Sequence, residues 1–326
     1  MFSVVITAYN IQEYIAQAIG SVLQQTCPAF EIIVVDDGSS DSTFDIATKM
    51  LVGVKNSQLI KQENKGPGGA RNSGITAAKG NYIVFLDGDD WLLENALATF
   101  KLNIESAPDA IFSNRILFYE KDNSFKSDSV FTKSTQGKVE IGRELMRRFA
   151  IHAKAFRCEF LTLNKILFAE NMIWEDYPFS FNILAKAKNI SVITDVTYVF
   201  RKRHGDNASL TQKNRFSEFF LQSRFRHLDM DQEIIKNSQL PAIYSKYTLN
   251  HLEFETRLMM DVKYLAQESD SAILAHAIKK YKNYIQENQE VIFESVSIPV
   301  QKIYSAILDE DLETTIVLIR ELNGKR

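Results

Sequence analysis

The sequence predicts a doubly wound α/β fold, a mostly parallel sheet with helices on both faces, followed by an all-α appendage. Three observations point there. Short continuous apolar runs, the signature of strands buried on both faces, alternate with helical periodicity from Phe2 to Trp91. Each run ends in a cluster of Asp, Gly, Ser or Asn. Beyond about Arg215 the strand-like runs stop, and amphipathic helical spacing takes over.

Taken in order, Phe2 to Ala8 reads as the first strand. Asn10 and Glu13 form a capping pair for a helix whose apolar face is Ile11, Tyr14, Ile15, Ala18, Ile19, Val22 and Leu23. Glu31 to Val35 is a second strand, Ser42 to Leu51 a helix, and Gln58 to Gln62 a third strand. The next helix follows a glycine-rich stretch and stops at Gly80, a good terminating residue. Tyr82 to Leu86 is a buried strand that delivers Asp87-Gly88-Asp89-Asp90 to its carboxyl end, where ligands bind in open α/β sheets. Asp109 to Asn114 and Arg115 to Glu120 read as strands, and Lys121 to Lys138 as an exposed loop or hairpin. Gly142 to Phe149 and Tyr177 to Ala187 are expected helices, with Val192 to Phe200 as a last strand. The appendage reads as four helices: Phe216 to Met230, Leu240 to Ala266, Ala272 to Asn288 and Ile298 to Leu322.

Composition narrows the function. With 45% hydrophobic and 24% charged residues, the 326-residue chain has the make-up of an ordinary soluble protein. A net charge of −3 and scattered basic residues give no footprint for nucleic acid. Two cysteines form neither a disulfide framework nor a metal motif, which fits a reducing, cytoplasmic setting. Met1 leads directly into strand residues, so no signal peptide is read there, and no apolar run approaches a membrane span.

Three strand ends carry, in turn, a carboxylate pair (Asp36, Asp37), a glycine-rich loop with Lys65 and Arg71, and the carboxylate triplet. Singly, each is ordinary turn chemistry. Jointly they describe a nucleotide site. Carboxylates accept from a base and a ribose, glycines let backbone approach a phosphate, and the two cations offset its charge. Acidic residues at alternate positions also suit a hard divalent cation.

These residues resemble a known family. Thr7-Ala8-Tyr9-Asn10, Val34-Val35-Asp36-Asp37-Gly38-Ser39, Asn64-Lys65-Gly66 with Ala70-Arg71-Asn72-Ser73-Gly74, and Phe85-Leu86-Asp87-Gly88-Asp89-Asp90 are similar to the motifs of family two glycosyltransferases, inverting enzymes of the GT-A fold. One departure is Ala8, where the family usually has proline. The resemblance implies a nucleotide-sugar domain over 1–212, and the helical spacing beyond it leaves a helical domain over 213–326. It implies that Asp37 accepts from the base, with Thr7, Ala8 and Tyr9 at the same end and Asp36 beside it. Asn64, Lys65, Gly66, Arg71, Asp87 and Gly88 would line the ribose and diphosphate. Asp89 would bind Mn²⁺ or Mg²⁺, with Asp87 alongside; His204 is a candidate third ligand, with a partly exposed loop histidine as the favoured reading.

The second centre is Met172-Ile173-Trp174-Glu175-Asp176-Tyr177. Inverting transfer needs a base for the acceptor hydroxyl. By the same resemblance Asp176 is that base, and Glu175 orients donor or acceptor. Acidic residues also suit a helix start, and both roles are compatible. The basic run Arg201 to Thr211 resembles a segment that closes over the diphosphate, with Arg203 and Ser209 as its donors; a solvated basic turn is the alternative. The implied partners are a nucleotide-sugar donor, expected to be a UDP-sugar, and a glycan or lipid-linked acceptor. The appendage leaves acceptor binding, self-association as a homo-oligomer and peripheral docking at the inner face of the membrane open. The rival to catalysis is a glycan-binding or scaffolding relative, which would dispense with Asp89 or Asp176.

Overall fold

The computed structural model describes residues 1–28, 30–135, 145, 149–204, 218–238, 279, 281–283, 285–286, 289 and 297–324. The chain divides into two compact units, Met1–Ser209 and Leu210–Arg326.

Among the described residues, the first unit is built on one nine-stranded sheet. Its first half is the parallel part: β1 (Phe2–Ala8), β2 (Phe30–Asp36), β3 (Ser57–Lys61) and β4 (Tyr82–Asp87), in the order β3-β2-β1-β4. Between them run α1 (Ile15–Leu23), α2 (Thr43–Leu51) and α3 (Gly66–Ala77). Strands β1, β2 and β4 are almost wholly buried, as their unbroken apolar runs require.

Beyond β4 the sheet becomes mixed. β5 (Trp91–Leu92) and α4 (Ala96–Lys101) follow, then β6 (Ala110–Tyr119), β7 (Ser124–Asp128), β8 (Lys154–Arg157), α5 (Cys158–Leu163), α6 (Asp176–Lys186) and β9 (Ile190–Lys202). The order continues β4-β8-β6-β9-β5, with β8 antiparallel to both β4 and β6. Strand β6 joins the two strands expected over 109–120 into one, with register shifts around Asn114. Asn114 turns its side chain to the backbone of Val130 and Phe131, which fastens the β6–β7 hairpin. β8 and α5 were not expected. β8 is only four residues long, too short to show a period of its own.

Two helix ends differ from expectation. Asn10 and Glu13 do not cap α1, which begins after Tyr14. Asn10 instead has a left-handed φ of 50° and ties the loop after β1 to the loop after β2. Its N–H donates to Ser39 Oγ and its Oδ1 accepts from the N–H of Ser40. α3 stops at Ala77 and not at Gly80, whose N–H donates to Ser3 Oγ and Glu31.

α3 lies close on β1 because position 74 has no side chain. A Cβ there would stand 2.2 Å from Val5 Cγ1. Gly74→Ala is therefore expected to destabilise the protein by about 1–3 kcal/mol through overpacking, measured by urea unfolding.

The second unit contains α7 (Glu218–Lys236), α8 (Ile298–Leu308) and α9 (Leu312–Gly324) among its described residues. The helix expected over 298–322 is two helices. Glu310 has a left-handed φ of 58°, and the N–H groups of Glu310 and Asp311 bond back to Ile307 and Ala306. That is a Schellman-type stop, and Asp311 Oδ1 then caps α9 through the N–H of Thr314. Of the Lys279–Lys282 run, Tyr281 is buried and Lys282 pairs with Glu310. The helix expected over 240–266 lies outside the described residues, as do most of 142–149 and 272–288. No described helix is long and apolar enough to cross a membrane.

Candidate active site

The register of the parallel strands places their acidic ends together. Ala8 is opposite Asp36, and Thr7 is opposite Asp87. This edge is the carboxyl end of the parallel half, as the topology rule for such sheets requires.

At one end of the edge sit Thr7, Ala8, Tyr9, Asp36 and Asp37. Tyr9 is 46% exposed, a ring available to a ligand. The Ala8 carbonyl accepts from the N–H of Asp37, and Asp36 Oδ1 accepts from the N–H of Ser39. Asp36 Oδ2 is buried with no hydrogen-bond partner among the described residues. Asp37 Oδ1 accepts from Gln62 Nε2 at 2.7 Å and from the N–H of Lys65 at 2.9 Å. Burial raises the Asp37 carboxyl above its ordinary value, against the pull of those hydrogen bonds. Asn64 and Lys65 are exposed, and Gly66 opens α3.

At Gly68 the glycine-rich loop is packed closely by the protein itself. A Cβ on Gly68 would meet the Ala169 carbonyl oxygen at 2.1 Å and Glu175 Cγ at 3.2 Å. The missing side chain lets another stretch of protein approach, the one that carries Glu175 and Asp176. Arg71 is turned to carboxylates of the protein. It is buried, with Nη2 on Asp87 Oδ1 at 2.8 Å and Nη1 on Glu175 Oε1. Burial works against its charge, but Asp87 and Glu175 hold its pKa above the usual arginine range. Its guanidinium lies over Phe168, which stacks on Phe179 of α6 at 3.8 Å.

Asp87 is held from both sides. Besides Arg71, it takes the imidazole of His152, with Nε2 at 3.0 Å from Oδ2. Burial alone would raise its pKa; Arg71 and His152 together keep it well below the carboxylate range. Gly88 turns the chain, its N–H donating to the Thr7 carbonyl. Asp89 pairs through Oδ2 with Arg203 Nε at 2.8 Å. Asp90 is buried, accepting from Tyr198 Oη at 2.6 Å and the N–H of Arg201 at 2.7 Å. Burial first, then the neighbouring carboxylates, raises the pKa of Asp89 and pushes that of Asp90 well up.

This crowding bears on the metal. Three carboxylates within one turn repel each other, a surplus of hard oxygen donors that suits a divalent cation. Asp89 is the carboxylate expected to hold it, and here its Oδ2 is taken by Arg203; Asp90 is engaged by Tyr198 and the N–H of Arg201. His204 does not join them. It lies exposed past the end of β9, its N–H directed to Glu120. The group of three possible ligands found among the described residues is instead Asp87, Asp90 and His152. There the imidazole faces the wrong way electronically. Arg115 Nη1, a donor only, lies 2.7 Å from Nδ1, so Nε2 carries the ring proton toward Asp87. Burial lowers the His152 pKa to about 4, so the ring is neutral.

Glu175 and Asp176 open α6. Trp174 before them holds a left-handed φ of 64°, a strained backbone for a bulky residue. The turn sends Glu175 inward to Arg71. Burial raises the Glu175 carboxyl above its ordinary value. Burial and the neighbouring Glu175 raise the pKa of Asp176 to about 7, against Arg71 and Lys154. A carboxylate with that pKa at a helix start is suited to proton transfer near neutrality. Ser209 lies outside the described residues.

His152, Tyr198, Arg201 and Arg115 were missed by sequence reasoning. All four come from β6, β9 or the segment entering β8; only Arg201 lay in a singled-out stretch, the basic run, where Arg203 and Ser209 were chosen instead.

Comparison with known proteins now places the chain. A model described as Glycosyl transferase family 2 matches residues 3–168. The chain belongs to that family. A Streptococcus pneumoniae serotype 4 protein named glycosyltransferase GlyG is 30% identical over 63% of this chain and 72% of its own length. A Bacillus spizizenii poly(ribitol-phosphate) beta-glucosyltransferase is 32% identical over 64% of this chain but only 33% of its own length. An Escherichia coli UDP-Glc:alpha-D-GlcNAc-diphosphoundecaprenol beta-1,3-glucosyltransferase, WfaP, is 31% identical over 68% of this chain and 84% of its own length. The fold of the family two domain matches the crystal structure of S. aureus TarS 1–349 in complex with UDP-GlcNAc. The TM-score is 0.80 at 21% identity, covering 100% of this chain and 92% of that one.

Proposed function

We propose that this chain is an inverting, metal-dependent glycosyltransferase that moves a glucosyl or N-acetylglucosaminyl group from a UDP-sugar to a hydroxyl of a cell-wall or lipid-linked glycan. One observation carries the chemistry: Asp176 begins α6 with its pKa raised to about 7, while its neighbour Glu175 is locked to Arg71. The relatives support the substrate class, since their names include UDP-glucose, poly(ribitol-phosphate) and a diphosphoundecaprenol acceptor. An acceptor of that lipid-linked kind would place the transfer at a membrane surface, on this reading its inner face.

In this reading Asp37 and Tyr9 receive the base, and Asp87 accepts from the ribose. Asp176 takes the proton of the acceptor hydroxyl as its oxygen bonds to the anomeric carbon. The bond from that carbon to the diphosphate breaks on the opposite side, inverting the centre. Asp89 and Asp87 would hold the divalent cation, which as a Lewis acid makes the diphosphate a better leaving group. Arg203, paired with Asp89 here, would stabilise the charge on the departing phosphate.

The test is binding and slow hydrolysis across a panel of nucleotide sugars, with Mn²⁺ and with EDTA. One UDP-sugar is expected to bind, with affinity lost in EDTA and in Asp89→Ala by roughly tenfold or more. Failure of every nucleotide sugar to bind, with or without metal, would remove the catalytic reading.

A further inference from the structure

We propose that His152 is a positioning residue that fixes the orientation of Asp87 and couples the donor site to the β6–β7 hairpin. The inference rests on reading Asp87 as a donor-binding carboxylate.

Six side chains form one continuous line across the sheet. Glu175 and Asp87 flank Arg71, His152 follows at 3.0 Å from Asp87, Arg115 lies 2.7 Å from His152, and Asp128 of β7 lies 2.7 Å from Arg115. Guanidinium groups only donate, and ionised carboxylates only accept. Arg71 between two carboxylates satisfies that rule, as does Arg115 next to Asp128. Between Arg115 and Asp87 the line needs a group that accepts on one side and donates on the other. His152 does both, through Nδ1 and Nε2.

The ring has little freedom to do otherwise. It is 7% exposed and walled by Tyr198 and Phe200, with ring centroids at 5.0 and 4.8 Å. Arg115 also lies over Phe200, 4.9 Å from its centroid. The backbone entering β8 is shaped for this placement. Ala153 has a left-handed φ of 58°, and the buried Lys154 ammonium donates to the carbonyls of Phe149 and Ala150. Asp87 is thus clamped on Oδ1 by Arg71 and on Oδ2 by His152, and a shift of the hairpin is transmitted to it through Arg115.

The chemistry of the line also predicts its own repair. A glutamine at 152 carries an acceptor and a donor on one carbon and can replace both contacts; a leucine can replace neither. In the full-length protein, His152→Leu is expected to raise the Kd and KM for the UDP-sugar found in the panel roughly tenfold, with kcat changed by about twofold at most. His152→Gln should stay within about threefold of wild type in both. Asp128→Asn, at a partly exposed hairpin position, should weaken donor binding by about two- to threefold and add little in the His152→Leu background. Thermal melts of each variant report folding separately. Equal losses in His152→Gln and His152→Leu would mean a packing role and overturn the proposal. So would unchanged donor binding in His152→Leu, or full additivity with Asp128→Asn. A wild-type protein that binds no nucleotide sugar would instead sink the donor-site reading itself.

Discussion

Asp176→Asn is expected to lower turnover by roughly 10²- to 10⁴-fold while donor Kd stays within about threefold. The amide keeps the size of the side chain and loses the base. In the wild-type protein the Asp176 pKa of about 7 should appear as an acid limb in the pH–rate profile. The active form is the deprotonated one, so the rate rises with pH until that value is passed and then levels. The limb should vanish in the residual activity of the variant. Stability should move the other way. A carboxyl whose pKa is higher folded than unfolded binds its proton more tightly in the native state. Its contribution is favourable at low pH and is lost as pH rises through about 7. Removing that ionisation by Asp176→Asn should therefore stabilise the protein at pH 8, by about 1–3 kcal/mol, read as a higher Tm or urea midpoint. A variant as active as wild type would end the assignment of the base.

Arg71→Met should have the largest effect on stability. Arg71 is buried, and its partners are Asp87 and the buried Glu175. Its removal leaves two crowded carboxylates without their counter-charge, a loss of about 3–5 kcal/mol for a buried pair broken on one side. Arg71→Lys is expected to recover only part of this, because an ammonium cannot span two carboxylates with a planar fork. Raising Mn²⁺ in a denaturation series should not rescue Arg71→Met, since the guanidinium holds Glu175 as well as Asp87. A loss under about 1 kcal/mol would show that solvent or a rearranged neighbour already carries the charge.

The parallel half of the fold was legible because its information is local. Val34-Val35-Asp36-Asp37 and Phe85-Leu86-Asp87 each state a buried strand and its acidic end within a few residues, and register brings those ends together. The Glu175-Asp176 pair was legible for the same reason. The antiparallel half was not. His152 reaches Asp87 across 65 positions, and Tyr198 reaches Asp90 across 108. No periodicity encodes such a pairing; it exists only after β8 and β9 have joined the sheet. Asn10 misled because its side chain suits a helix cap, yet the neighbouring loop with Ser39 and Ser40 claimed it. The break between α8 and α9 was invisible for another reason. Glu310 takes a left-handed conformation that usually announces itself as glycine. The partners of Arg71 and the close approach at Gly68 were not legible either, because charge and a gap in packing can be met by carboxylate and carbonyl as readily as by ligand.

The close approach at Gly68 sets a one-sided ruler. The Ala169 carbonyl stands where a methyl group would be, and Glu175 lies just beyond it. Glycine is the smallest residue, so drift at this position can lengthen the gap between α3 and the start of α6 but never shorten it. Gly68→Ala is expected to push the start of α6, and with it Asp176, the proposed base, away from α3 while the sheet beneath stays intact. On the proposed reading such a chain is expected to keep the architecture and nucleotide binding, yet to fall silent in transfer.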